Sequence, residues 1–180
     1  MSTAGKGKPT AVVTGVAGFI GSNLADRLIA EGFRVIGIDN LAYGVREQIP
    51  RETEFREMDI RDPKLADVFA HADSVFHLAA KNCIADCQDD PVETSSINVF
   101  GSVQVFEAAR KAGVRKVVYA ESASLYEGVT TLPSREDEVA PESFYAVSKT
   151  AERMFADAYQ RYSGMNLTAL RYFCVYGPRQ

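Results

Sequence analysis

Three glycines, at 15, 18 and 21 in the run Thr14-Gly15-Val16-Ala17-Gly18-Phe19-Ile20-Gly21, constrain this chain more than any other feature. A short apolar run, Thr10–Thr14 (TAVVT), precedes them. An amphipathic stretch at 19–31 follows, with Phe19, Ile20, Leu24, Leu28 and Ile29 on one side. The pattern reads as a buried strand turning tightly into a helix. In such a turn Gly15 permits the reversal, Gly18 lets backbone approach a pyrophosphate, and Gly21 lets the helix pack on the strand. The helix N-terminus then offers free N–H groups and a partial positive charge to phosphate.

The alternation continues along the chain. RVIGID (34–39), a weaker stretch at 54–58, SVFHL (74–78), KVVYA (116–120) and 166–172 read as strands two to six. Helical patterns lie between them: a short one at 63–69 with Pro63 in its first turn, a long one at 91–112 ended by Gly113, and one at 145–162 closed by Gly164. Strand, helix and strand repeated this way need right-handed crossovers and a parallel sheet covered on both faces. The expected fold is α/β, a doubly wound parallel sheet, and 180 residues make one such domain. Residues 1–9 read as a flexible tail without a signal-peptide core. Residues 130–143, rich in Pro, Ser and acid, read as a surface loop.

Composition narrows the function classes. Lys+Arg is 20 against Asp+Glu 24, a net charge of −4, which argues against a nucleic-acid-binding surface. No apolar run approaches the roughly 18 residues of a membrane span. Cys83, Cys87 and Cys174 are an odd count, which fits free thiols in a reducing cytoplasm. Cys83 and Cys87 have a spacing that could bind metal on a helix, but no second Cys or His cluster completes a site, and no metal is expected.

Asp39, at the tip of strand two in Gly37-Ile38-Asp39-Asn40, can accept hydrogen bonds from an adenosine ribose. A carboxylate there repels a 2′-phosphate, so NAD is favoured over NADP. Asp59 and Ile60, after strand three, are placed to meet adenine. Leu78, Ala79 and Ala80, after strand four, are small enough for backbone to lie against a cofactor.

At the other end, Tyr145 and Lys149 stand four apart in Tyr145-Ala146-Val147-Ser148-Lys149, on one helix face. A free phenol, with a pKa of about 10, is a poor base at neutral pH. An ammonium about 5 Å away, at an effective dielectric near 20, favours phenolate by roughly 3 kcal/mol. Such a phenol can take a hydroxyl proton while the carbon hydride moves to the cofactor. Ser122 and Ser124 follow strand five, where hydroxyls can orient a substrate alcohol.

Together these residues carry a resemblance. The chain is similar to extended short-chain dehydrogenase/reductases of the sugar-nucleotide epimerase/dehydratase family, which have the Rossmann fold. The matching pieces are TGVAGFIG (14–21), DN (39–40), MDIRD (58–62), HLAA (77–80), NVFG (98–101), SASLY (122–126), YAVSK (145–149) and LRYFCVYGPRQ (170–180). The resemblance implies tightly held NAD. It puts Asp39, Asn40, Leu41, Tyr43 and Gly44 around the adenosine ribose, Asp59 and Ile60 at adenine, Asn98 in support of the active site, and Tyr172 near the cofactor. It implies Ser122, Tyr145 and Lys149 as the catalytic set, with Tyr145 and Lys149 also at the cofactor, Lys149 on the nicotinamide ribose, and Ser124 and Cys174 near a UDP-sugar or other nucleotide-sugar substrate. It also implies a C-terminal substrate domain after residue 180, absent from this chain, and a homodimer through the helices at 91–112 and 145–162.

Dehydratases and decarboxylases of the family resemble Thr-Asp-Glu or Thr-Ser-Glu before the Leu/Val-Tyr pair. Here the segment is Ser122-Ala123-Ser124, without an acid, and Glu121 stands one residue too early. That favours epimerases similar to UDP-glucose 4-epimerase. A dehydratase or reductase on the same scaffold, and a non-catalytic NAD-binding regulator, are the alternatives. Glu127 stands where the family usually has Gly, and Cys174 where an Asn touching substrate is usual.

Overall fold

Strand β1 (Thr10–Thr14) is buried at all five positions, and β2 (Arg34–Asp39) at its four central ones. Strands this apolar must be covered on both faces. In a computed structural model describing residues 7–180, they lie inside a six-stranded sheet with β3 (Glu54–Glu57), β4 (Ser74–His77), β5 (Lys116–Ser122) and β6 (Leu167–Tyr172). The strand order is β3-β2-β1-β4-β5-β6 and every neighbouring pair is parallel. This is the doubly wound arrangement expected from the sequence.

Alternation along the strands sorts the core into two layers. Val12, Ile36 and Ile38 face one side with Phe69, Val105 and Phe106. Ala11, Val13 and Val35 face the other, beneath Ala25 and Leu28 of α1 (Phe19–Ala30). Each fully buried Val, Ile or Phe side chain contributes about 1.5–3 kcal/mol by leaving water.

Several boundaries differ from the sequence reading. The helix expected at 63–69 is a single turn, α2 (Leu65–Val68). A helix not expected, α3 (Ile84–Asp89), follows β4. Its one buried residue is Cys87, so it has no apolar stripe to read. The helix expected at 91–112 is interrupted. α4 (Pro91–Ser95), capped by Asp90 accepting the Glu93 N–H, and α5 (Ser102–Ala112) flank one wide π-helical turn, Ser96–Gly101. The last helix, α6 (Phe144–Ser163), starts at its cap Ser143, whose hydroxyl accepts the Ala146 N–H, and ends at Gly164 with φ +64°. Of the tail expected at 1–9, residues 1–6 lie outside the described residues. Pro9 is tied down, its carbonyl accepting the Arg34 N–H at 2.9 Å.

Candidate active site

The connections from β1 and β4 leave in opposite directions, which opens a crevice at the carboxyl ends of the strands. A cleft of about 320 Å³ lies there. Gly15, Gly18, Phe19, Ile20 and Gly21 line it from the first turn, and Asp39, Asn40, Tyr43 and Gly44 from the end of β2. Asp59 and Ile60 line it after β3, and Leu78, Ala79 and Ala80 after β4. Ala42, inside the stretch 39–44, lines it too, as do Met58, Lys81, Asn82, Ile97 and Ala120, which were not singled out from sequence. Lys81 and Asn82 directly follow the small-residue run after β4, which is a cue. Nothing local marks Ile97.

The local geometry suits an anionic dinucleotide. Gly15 has φ +75°, and a Cβ there would stand 2.8 Å from the Ala79 nitrogen. The cap of α1 is Gly18, with no side-chain cap bond and no acid in the first turn. The positive helix end therefore keeps its donors for a ligand. Asp39 ties this loop to β2: Oδ2 accepts the Ala17 N–H at 3.0 Å and Oδ1 the Leu41 N–H at 2.8 Å. Each oxygen retains a second lone pair for a ribose hydroxyl. A Cβ on Gly44 would approach Ala17 Cβ to 2.6 Å, so this side of the cleft also excludes a side chain. These donors and acceptors fit NAD.

Asp59 is already engaged. Its carboxylate accepts from Arg61 and from Asn40 Nδ2, and the Arg61 guanidinium holds its pKa down at about 2 despite partial burial. Arg61 continues to Glu93 and Ser96, bracing the floor of the cleft against α4.

Asn98 does not line the cleft. It is fully buried in the wide turn before α5. Its Oδ1 accepts the Lys81 N–H at 2.8 Å, and its Nδ2 donates to the Lys81 carbonyl at 2.9 Å and to Ser148 Oγ at 3.0 Å. It thus brackets the loop after β4 to α6. Ser102 Oγ donates to the Asn98 carbonyl at 2.7 Å, satisfying a group the wide turn would leave bare. Ser102 also faces His77 Nε2 at 2.9 Å, while His77 Nδ1 meets Thr14 Oγ1 at 2.7 Å. Because the Ser102 hydroxyl hydrogen is used on Asn98, His77 donates from Nε2, and it is neutral with Nδ1 accepting the Thr14 hydroxyl. Complete burial, with the nearby Lys149 charge adding to it, lowers its pKa to about 3.

The candidate chemical residues lie past Ala120, outside the lining of the cleft. Ser122 ends β5, paired with Tyr172 of β6, and its Oγ accepts the Ser124 N–H at 3.1 Å. Ser124 Oγ is buried without a partner. Burial pushes the Tyr172 phenol upward. Cys174 and Cys83 are exposed and Cys87 is buried. Tyr145 stands in the first turn of α6. Lys149 is buried, and its Nζ donates to Glu152 Oε2, a residue that sequence reasoning missed. Glu127 clamps the start of α6: Oε2 accepts the N–H groups of Glu142 and Ser143, and Oε1 the Ser143 hydroxyl at 2.8 Å. The acid standing where the family usually has Gly thus fixes the turn that carries Tyr145.

Residues 11–180 match the model of the NAD dependent epimerase/dehydratase family. A UDP-glucose 4-epimerase from Mycolicibacterium smegmatis is 40% identical over 178 residues, covering 94% of this chain and 57% of that protein. The crystal structure of a UDP-glucose 4-epimerase from Thermotoga maritima, solved with UDP-glucose, superposes with a TM-score of 0.92 at 37% identity. It covers 95% of this chain and 57% of its own. A dTDP-glucose 4,6-dehydratase from Streptomyces venezuelae, with NAD and TYD bound, gives 0.88 at 31% identity over 95% of this chain and 57% of its own. This chain therefore spans little more than half the length of these proteins.

Proposed function

Because the chain belongs to the NAD-dependent epimerase/dehydratase family, we propose that it serves as the cofactor-binding part of a 4-epimerase acting on a UDP-hexose. When bound, NAD supplies a hydride acceptor for C4 of the sugar and a donor that returns the hydride to the other face. Tyr145 takes the O4 proton as general base and gives it back as general acid. Lys149 holds the nicotinamide ribose and provides positive charge behind Tyr145, and Ser122 orients the alcohol. Ser124 and Cys174 meet the sugar, and Asn98 keeps the loop after β4 and α6 in register. The glycine turn receives the pyrophosphate, Asp39 with its neighbours to Gly44 the adenosine ribose, and Asp59 and Ile60 the adenine. Tyr172 closes on the nicotinamide side.

One observation supports epimerisation over dehydration. Loss of water from the sugar needs an additional acid beside Ser122, and Glu121 is the nearest. Strand alternation turns Glu121 to the opposite face of β5. There it is 4% exposed, with Arg171 Nε at 2.5 Å and Arg153 Nε at 3.9 Å. Its charge is spent inside the fold. Incubating the protein, extended as far as its coding sequence runs, with UDP-glucose, UDP-galactose and their N-acetyl forms tests the reading. Interconversion of C4 epimers by NMR is expected. A 4-keto-6-deoxy product would show dehydration instead.

The Asp39 carboxylate predicts that NAD binds more tightly than NADP. Asp39→Ala should narrow that preference, because it removes the charge that repels a 2′-phosphate. Titrating both cofactors checks this, and tighter NADP binding by the parent would contradict it.

A homodimer is also proposed. Val105 and Phe106 of the first of the two helical segments are wholly inside the core and cannot serve such an interface. Phe100, Val147, Met154, Phe155 and Tyr162 nevertheless remain exposed along the same two helical segments. A second copy would cover this stripe by two-fold pairing. Light scattering at micromolar concentration should give twice the chain mass, and the mass of one chain would rule the dimer out. The free cysteines fit a reducing, cytoplasmic setting.

A further inference from the structure

Glu152 is 0% exposed and lies on the inner face of α6, in the company of Ala146, Ser148, Lys149 and Ala156. A carboxyl group sealed from water is costly unless it is paired. One of its oxygens, Oε2, receives the Lys149 ammonium. The other, Oε1, has no hydrogen-bond partner and faces His77 Nε2 of β4 at 3.6 Å. His77 cannot share the charge, because its ring is neutral and its Nε2 hydrogen serves Ser102.

The other titratable groups around Glu152 also leave the pairing to Lys149. Tyr119 and Glu121 face it from β5. Burial and the Glu152 charge both push the Tyr119 phenol upward, so it stays neutral. Glu121 is taken by Arg171 and Arg153. Tyr145 lies two turns earlier on the same helix. Burial pushes the Glu152 carboxyl upward and the Lys149 ammonium pulls it back. The ammonium thus favours the ionised carboxylate against the cost of its burial.

We propose that Glu152 is the positioning residue of Lys149: its carboxylate, enclosed between α6 and β4, fixes where the ammonium stands, and it serves the site through Lys149 alone. This rests on the reading of Lys149 as a cofactor-site residue given above. A long lysine side chain has many rotamers, and holding one of them in advance removes an ordering cost when the cofactor arrives. The orphan Oε1 fits the same role. The carboxylate's strong contact is the Lys149 ammonium, and Ser102 beside it also favours the charged form.

A double-mutant cycle tests the proposal, read as NADH affinity by fluorescence titration. Glu152→Gln should weaken NADH binding about tenfold in the parent. In a Lys149→Met background the same change should cost less than about twofold, because no ammonium remains to be held. Equal losses in both backgrounds would mean that Glu152 acts on the fold and would overturn the proposal. Infrared spectroscopy adds a second reading. The carboxylic-acid band of Glu152 should persist to higher pH in Lys149→Met than in the parent, and be absent from every variant lacking Glu152. An unchanged band would also overturn it. Glu152→Met replaces Glu152→Gln in the cycle if the amide variant does not fold, since an apolar isostere needs no partner at this position. Neither measurement uses sugar turnover, so a failure of the epimerase reading appears separately, in the products formed from UDP-hexoses.

Discussion

Tyr145→Phe is expected to leave NAD binding and the fold intact while slowing UDP-hexose turnover by about 10²–10⁴-fold, the range for loss of a general acid–base group. The phenyl ring keeps the packing of the first turn of α6. That turn is held from outside by Ser143 and Glu127, neither of which touches the Tyr145 hydroxyl. Only the proton acceptor is lost. Lys149→Ala should reduce both cofactor binding and rate, because it removes a charge and also leaves Glu152 buried without its cation. Ser122→Ala should cost less than Tyr145→Phe. Its hydroxyl orients the proton path and also caps the turn to Ser124, a bond whose loss is worth about 1 kcal/mol. Rates measured on NAD-loaded, full-length protein decide the order. A Tyr145→Phe variant turning over at the parent rate would remove Tyr145 as the base.

The parts of this molecule that were legible in its sequence are those where a local pattern and a special backbone position coincide. The turn at 14–21 announces itself through glycines, and the positive φ of Gly15 explains the first of them. Strands β1 and β2 are apolar without interruption, so burial on both faces follows directly. Helix α3 was missed because only Cys87 among its six residues is buried. The wide turn at Ser96–Gly101 was missed because no residue type demands it. It is fixed by distant partners, with Asn98 reaching Lys81 and Ser148. Glu152 was unreadable for a related reason. A charge beside an arginine on a helix looks solvent-facing, and only the packing of α6 against β4 encloses it. The spacing of Tyr145 and Lys149 was visible, but spacing does not reveal which group receives the lysine's ammonium. The fold thus follows from short-range signals, whereas the order of the site depends on how separate elements pack against one another, as Asn98 does with Lys81 and Ser148.

Gly21→Ala is expected to abolish tight NAD binding, with a loss of at least about 100-fold, or about 2.7 kcal/mol. A Cβ at this position would lie 2.0 Å from the Gly15 carbonyl oxygen, 2.8 Å from its carbonyl carbon and 3.0 Å from Val16 Cα. All three are backbone atoms, so no side chain can rotate to make room. Either α1 lifts away from β1 or the turn at Gly15 opens. The second route is resisted, because Gly15 N donates to the Ile38 carbonyl at 2.8 Å and its Cα is packed against Ala79. Lifting α1 would draw its uncapped N-terminus back from the phosphates and pull its Ala25 and Leu28 off Val13. Overpacking of a well-filled core costs about 1–3 kcal/mol, so the melting temperature should fall as well. Gly113→Asn supplies the control. Gly113 has φ +67°, but a Cβ there meets nothing within 4 Å, and Asn tolerates this conformation. That variant should bind NADH as the parent does. If Gly21→Ala bound NADH equally well, close contact between α1 and the first turn would not be what forms the phosphate site.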